Sequence, residues 1–234
     1  MAQDDKTSAM RSAMEQLLKG IGEGKLLESP PHLEPEDSLF SPTMFNVIKE
    51  YRLTVGEHLM GALALEAQSL APSWEREEIA TLVCTPAFYP EWALWVVGER
   101  RAGFWVLMTE ADQNIWYSTR GGVEIHHSPT MKKSELAIDL GGEICDVWRS
   151  ILSQTRYPKE PWGGCDGVSY HFAYSKKGIP AMAGKTWCPG AATTPGKLVS
   201  LAYMLKDYVR DPANQDAFLH AINEHLAWFR SHSN

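Results

Sequence analysis

The sequence predicts an α+β fold, an antiparallel β-meander packed against helices, with helical N- and C-termini. Three observations lead there. Apolar residues alternate with a period of two between about residues 79 and 127. They recur at helical spacing before that stretch and again from Thr194 onward. The connections between the period-two segments are too short for parallel crossovers, so neighbouring strands must run antiparallel. A chain of 234 residues, 44% hydrophobic and with nine Trp, is long and apolar enough to close one core, so a single domain over 1–234 is expected.

The elements follow in order. Met10, Met14, Leu17, Leu18 and Ile21 mark an amphipathic helix, which Gly20, Gly22 and Gly24 then stop. Pro30-Pro31, Pro35 and the cluster Glu34, Glu36, Asp37 suit neither helix nor strand. Residues 1–41 therefore read as a helix plus a surface linker arm. Ser41-Pro42 fits a cap and first turn, with Phe45, Ile48, Leu59 and Leu63 carrying a helix towards Ala67.

Trp92 to Val97 and Phe104 to Met108 form two strands around a turn, and Asn114 to Thr119 and Val123 to His127 continue the meander. From about Lys133 to Gln154, Leu136, Leu140, Ile144, Val147, Trp148 and Ile151 predict one long helix, with Gly141-Gly142 as a kink. Asp166-Gly167 opens a strand in which Val168, Tyr170, Phe172 and Tyr174 share a face, and a second strand runs towards Trp187. Thr194-Pro195 caps the next helix, lined by Leu198, Leu201, Leu205 and Tyr208. Asp211-Pro212 restarts the chain as a last helix with Phe218, Ile222, Leu226 and Phe229 inward.

Composition narrows the function. The net charge of −7 argues against nucleic acid, whose binders need a basic stripe to release counterions. No run reaches the ~18 apolar residues of a membrane span, and the acidic start, Met-Ala-Gln-Asp-Asp-Lys, is no secretory signal. Cys84, Cys145, Cys165 and Cys188 have neither C-x-x-C nor zinc spacing. They read as separate reduced thiols, so a cytoplasmic location is expected. Residues 1–80 hold 14 acidic and 7 basic side chains, whereas the remainder is balanced. Such an acidic region serves solubility and also steers a basic protein partner.

No motif carries catalysis. Cys165 with His171 could be a thiol and its base, but with a hairpin turn at Asp166-Gly167 the two need not meet. His126-His127 point to opposite faces of a strand, and His220 and His225 lie about 140° apart on a helix, so no metal is expected. Gly184-Lys185-Thr186 is only the tail of a phosphate loop, and no cofactor is expected. Of the Trp residues, Trp92, Trp95, Trp105 and Trp148 belong to apolar stretches and to the core. Trp74, beside Glu75, Glu77 and Glu78, and Trp162 lie in polar contexts and fit interface anchors. The expected partner-binding residues are therefore Trp74, Glu75, Glu77, Glu78, Glu36, Asp37 and Trp162.

The order Asp166-Gly167, Tyr170, Phe172, Gly184, Thr186-Trp187, Pro189, Pro195-Gly196-Lys197-Leu198, Leu201, Leu205 and Tyr208 resembles small bacterial proteins, some of them encoded beside secreted toxin effectors. The resemblance covers residues 166–208 and carries no catalytic or binding residues. It implies an immunity protein that neutralises a cognate toxin, of the type VI secretion or polymorphic toxin kind, by direct contact in the cytosol. The expectation is thus a binding protein and not an enzyme; the alternative is a small hydrolase or transferase using Cys165 or a histidine.

Overall fold

A computed structural model of the chain describes residues 31–34, 55, 59–70, 78–101, 103–120, 129–157 and 167–232. Helix α1 (Gly61–Leu70) precedes strands β1 (Glu78–Pro86), β2 (Trp92–Glu99) and β3 (Gly103–Glu110). Helix α2 (Ile115–Arg120), strand β4 (Thr130–Leu136) and helix α3 (Ile138–Leu152) follow. Strands β5 (Val168–Lys176) and β6 (Ile179–Trp187) lead to α4 (Thr194–Arg210), a 3₁₀ turn (Pro212–Asn214) and α5 (Gln215–His232). The strands form one six-stranded sheet in the order β4-β3-β2-β1-β5-β6, antiparallel at every pairing. The α+β expectation holds. The meander β1 to β4 is completed by a hairpin that returns to pair with β1 on its other side.

Strand alternation divides the sheet's two faces between two cores. Leu82, Leu94, Val96, Phe104, Val106, Met108 and Phe172 pack on one face with Ile144, Trp148, Leu201, Leu205 and Leu226 from α3, α4 and α5. Ala93, Trp95, Val97 and Leu107 pack on the other face with Leu59, Leu63 and Ala67. Trp148 is fully buried, donates from Nε1 to the Thr81 carbonyl at 3.1 Å and meets the Phe172 ring edge-on at 5.7 Å. These contacts fix α3 across β1 and β5.

Four local expectations change. Asn114 to Thr119, expected as strand, is mostly helical, because the Asn114 and Glu91 side chains satisfy the free N–H groups of a first turn there. The expected helix from Lys133 divides into β4 and α3, because residues 130–136 pair with β3 and turn Leu136 alone fully inward. Gly141-Gly142 lies within the continuous helix α3, where a β-carbon on Gly141 would run into the Phe104 ring. Its purpose is close helix-to-sheet approach. The α4 cap is Thr193, whose hydroxyl accepts from the Gly196 N–H at 3.2 Å, with Pro195 in the first turn.

Part of the expected surface arm is also tied down. Leu33 is fully buried in the main core, and Glu34 exchanges two backbone hydrogen bonds with Lys185 on β6, at 2.8 and 2.7 Å. The expected helix at residues 10–21, the start of the helix from Ser41, and the strand at Val123 to His127 lie outside the described residues.

Candidate interaction surface

Antiparallel pairing gathers several chain turns at each end of the sheet. At one end lie the β1–β2 turn (residues 87–91), the exit from β3 into α2, the entry to β5 and the exit from β6. These segments are cross-tied. Ala87 N–H donates to Gly167 O and Ala111 N–H to Glu91 O, both at 2.8 Å. The Asn114 amide donates to the Pro86 and Tyr89 carbonyls at 3.3 and 2.7 Å, while its oxygen accepts from Tyr117 N–H at 3.0 Å. One amide thus joins the backbones of Tyr89 and Tyr117.

The carboxylate of Glu91, fully buried, accepts from Ile115 N–H at 2.7 Å and Trp116 N–H at 3.1 Å, which anchors the start of α2. On this scaffold Phe88, Tyr89 and Tyr117 are 60%, 72% and 54% exposed. Single exposed apolar side chains are ordinary. Phe88 and Tyr89 lie on the β1–β2 turn and Tyr117 on α2, two segments joined by the Asn114 side chain. Three large rings are thus exposed at one end of the sheet, and their few rotatable bonds make contact cheap in entropy.

Behind the patch the packing is aromatic. Tyr203 on α4 meets the ring of Trp92 at 5.2 Å and that of Tyr170 at 6.3 Å, both edge-on. Lys206 lies over the face of Trp92 at 4.3 Å and donates to Glu110 at 2.9 Å, a carboxylate that Arg210 also meets at 3.5 Å. Cys84, paired in register with both Trp92 and Tyr170, is buried, and that burial pushes its thiol up to about 12. Such a group stays protonated and is not a nucleophile. Cys145 is buried in α3, and burial pushes its thiol up as well.

The opposite end of the sheet is ionic. Glu78, 2% exposed, accepts from Arg100 at 3.0 and 3.3 Å and from the Tyr174 hydroxyl at 2.6 Å, and pairs with Lys176 at 3.2 Å. Arg100 reaches on to the Gly142 carbonyl at 3.2 Å and to Asp146 at 2.8 Å, both on α3. Burial alone would push the Glu78 carboxyl up, but the hydrogen bonds from Arg100, Tyr174 and Lys176 outweigh it and hold the carboxyl below its ordinary 4.5. Glu78, expected among the partner-binding residues, is thus buried and not an exposed acid. In β1 it shares the inward face of Ala80, Leu82 and Cys84, and its charge is satisfied inside the molecule.

Trp74, Glu75, Glu77, Glu36, Asp37 and Trp162 lie outside the described residues, as do Cys165, His126 and His127. His171, on β5, faces away from Tyr170 and Phe172. His225 bonds the Lys197 carbonyl through Nε2 at 2.8 Å, while His220 sits 3.4 Å from Glu224. Among the described residues no three His, Cys, Asp or Glu side chains are grouped to hold a metal.

Sequence reasoning passed over Phe88, Tyr89 and Tyr117. A signal existed in Pro86-Ala87-Phe88-Tyr89-Pro90, two aromatics between prolines where a turn would otherwise be polar. Assigning Asn114 to Thr119 to a strand concealed Tyr117.

No family model, no curated protein and no solved structure matches this chain.

Proposed function

We propose that this protein binds another protein, and that the partner is a secreted bacterial toxin effector which it neutralises by direct contact in the cytoplasm. The observation that carries the binding role is the set of exposed rings Phe88, Tyr89 and Tyr117 on a hydrogen-bonded scaffold. Tyr and Trp side chains dominate the energetic anchors of protein interfaces, and a preformed patch avoids much of the ordering cost of association. The toxin as partner rests on the resemblance of residues 166–208 to immunity proteins. The excess acid of residues 1–80 favours a basic or locally basic partner, which it would steer into encounter.

The test is capture of the adjacent gene's product by the purified protein, with association and dissociation rates measured separately. Replacing Tyr89 and Tyr117 together by Ala should speed dissociation about tenfold or more, as loss of an interface anchor does. Glu75→Lys with Glu77→Lys should instead slow association and flatten its salt dependence. Trp74→Ala should speed dissociation if Trp74 is an anchor. The reading fails if the wild-type protein neither captures that product nor protects cells that express it.

A further inference from the structure

We infer that the aromatic end of the sheet takes a cationic side chain, an Arg or Lys on an exposed segment of the partner, laid against the faces of Phe88, Tyr89 and Tyr117. This rests on the protein-binding role above and names the chemistry of its contact. Four considerations converge on a cation.

The first is the supply of ring faces. An aromatic face carries negative quadrupole density and attracts ammonium or guanidinium groups. Three such rings stand exposed at one end of the sheet. The second is local charge. In residues 86–92 and 110–118 every ordinarily ionised side chain is a carboxylate: Glu91, Glu110 and Asp112. Lys206 and Arg210 pair with Glu110. Glu91 accepts from the N–H groups of Ile115 and Trp116 beneath α2.

The third is internal precedent. At this same end Lys206 already lies over Trp92 at 4.3 Å, and elsewhere Lys197 and Lys133 lie over Trp228 and Trp105 at 5.5 and 5.8 Å. The fourth is the cost of the alternatives. A purely apolar occupant would cover the exposed Tyr89 and Tyr117 hydroxyls without replacing their water, a desolvation that is repaid only by polar partners. An anionic occupant would meet the negative ring faces.

The experiment uses the full chain and three short synthetic peptides. One alternates glycine with arginine. The second replaces each arginine by citrulline, which keeps the planar shape without the charge. The third replaces it by glutamate. Binding is followed through backbone amide resonances in NMR titrations, on wild type and on Tyr89→Leu, Tyr117→Leu and the double variant, since leucine retains apolar area but removes the ring quadrupole.

The arginine peptide should shift amides in residues 87–91 and 115–118, and more weakly at high salt. The citrulline and glutamate peptides should bind less well. Each leucine substitution should weaken the arginine peptide about threefold. Equal binding of the citrulline peptide overturns the inference, as do shifts confined to another surface or leucine variants that bind like wild type.

Partner capture keeps the two proposals apart. If the double leucine variant retains the partner with unchanged affinity while the double alanine variant loses it, the rings act as apolar mass. The cationic contact then fails and the binding role stands. If wild type captures no partner although the arginine peptide behaves as expected, the reverse holds.

Discussion

The two ends of the sheet solve the problem of chain termination in opposite ways. At the ionic end the turns finish in Glu78, Arg100, Lys176 and Asp146, and these charges are spent on one another and on the backbone of α3. At the aromatic end the hydrogen bonds of Asn114 and Glu91 are likewise spent internally, yet they hold three large rings out in water. Polar groups satisfied inside a molecule stabilise it. Apolar rings left outside stabilise nothing until something covers them. The difference separates an end whose charged groups are satisfied within the fold from an end that leaves apolar rings in water.

The largest effect should come from breaking the ionic end. Glu78→Ala leaves the Tyr174 hydroxyl and two cations without their carboxylate; a fully buried pair broken in this way costs 3–5 kcal/mol. Because Arg100 is 43% exposed and Lys176 32%, solvent screens part of that loss. About 3 kcal/mol is expected from urea unfolding at neutral pH. A loss below about 0.5 kcal/mol, the level of an ordinary surface change, would show that the network is not what holds this end.

Close packing beside the same network comes next. Gly141→Ala places a methyl group against the Phe104 ring and should destabilise by about 2 kcal/mol, the usual cost of overpacking. A shortened partner, Phe104→Leu, should recover part of that loss in the double variant, which a double-mutant cycle would read.

Acid sharpens the comparison. Since the folded carboxyl of Glu78 sits below its ordinary 4.5, its stabilising contribution is present above that pH and is lost as pH falls through the folded value. The stability gap between wild type and Glu78→Gln should therefore be widest at neutral pH and should close in acid. A gap independent of pH between 7 and 3 would contradict the assignment.

The aromatic end should respond less in stability and more in binding. Asn114→Ala removes the tie between Tyr89 and Tyr117 and should cost about 1 kcal/mol, the scale of a lost cap and its hydrogen bonds. It should also slow partner association, because the patch must then be ordered on binding. Smallest of all, Tyr89→Ala and Tyr117→Ala should change unfolding free energy by less than about 0.5 kcal/mol, although they loosen partner binding. If either tyrosine proved as costly to stability as Glu78, the division between the two ends would collapse.

Much of the fold was legible in the sequence because period carries it. The alternation of Tyr170, Phe172 and Tyr174, the turns between Val97 and Phe104, and the stripes of α4 and α5 all follow from side chains choosing a face. Legibility failed where a distant partner decided the outcome. Leu136 ends a strand and not a helix because β3 pairs with it. Asn114 starts a helix because it caps Tyr117 while also bonding the β1–β2 turn, a contact 25 residues away in the chain.

The candidate surface divides in the same way. The acid excess of residues 1–80 is a sequence property, since charge adds up wherever the chain goes. Which charges face solvent is not: nothing in the sequence sets Glu78 apart from the other acids, yet the pleat turns it inward onto Arg100 and Tyr174. The exposure of Phe88, Tyr89 and Tyr117 also had to come from tertiary structure. Hydrophobicity favours burying any ring, and only the assembled sheet, with its turns fixed by Asn114 and Glu91, leaves these three outside the core.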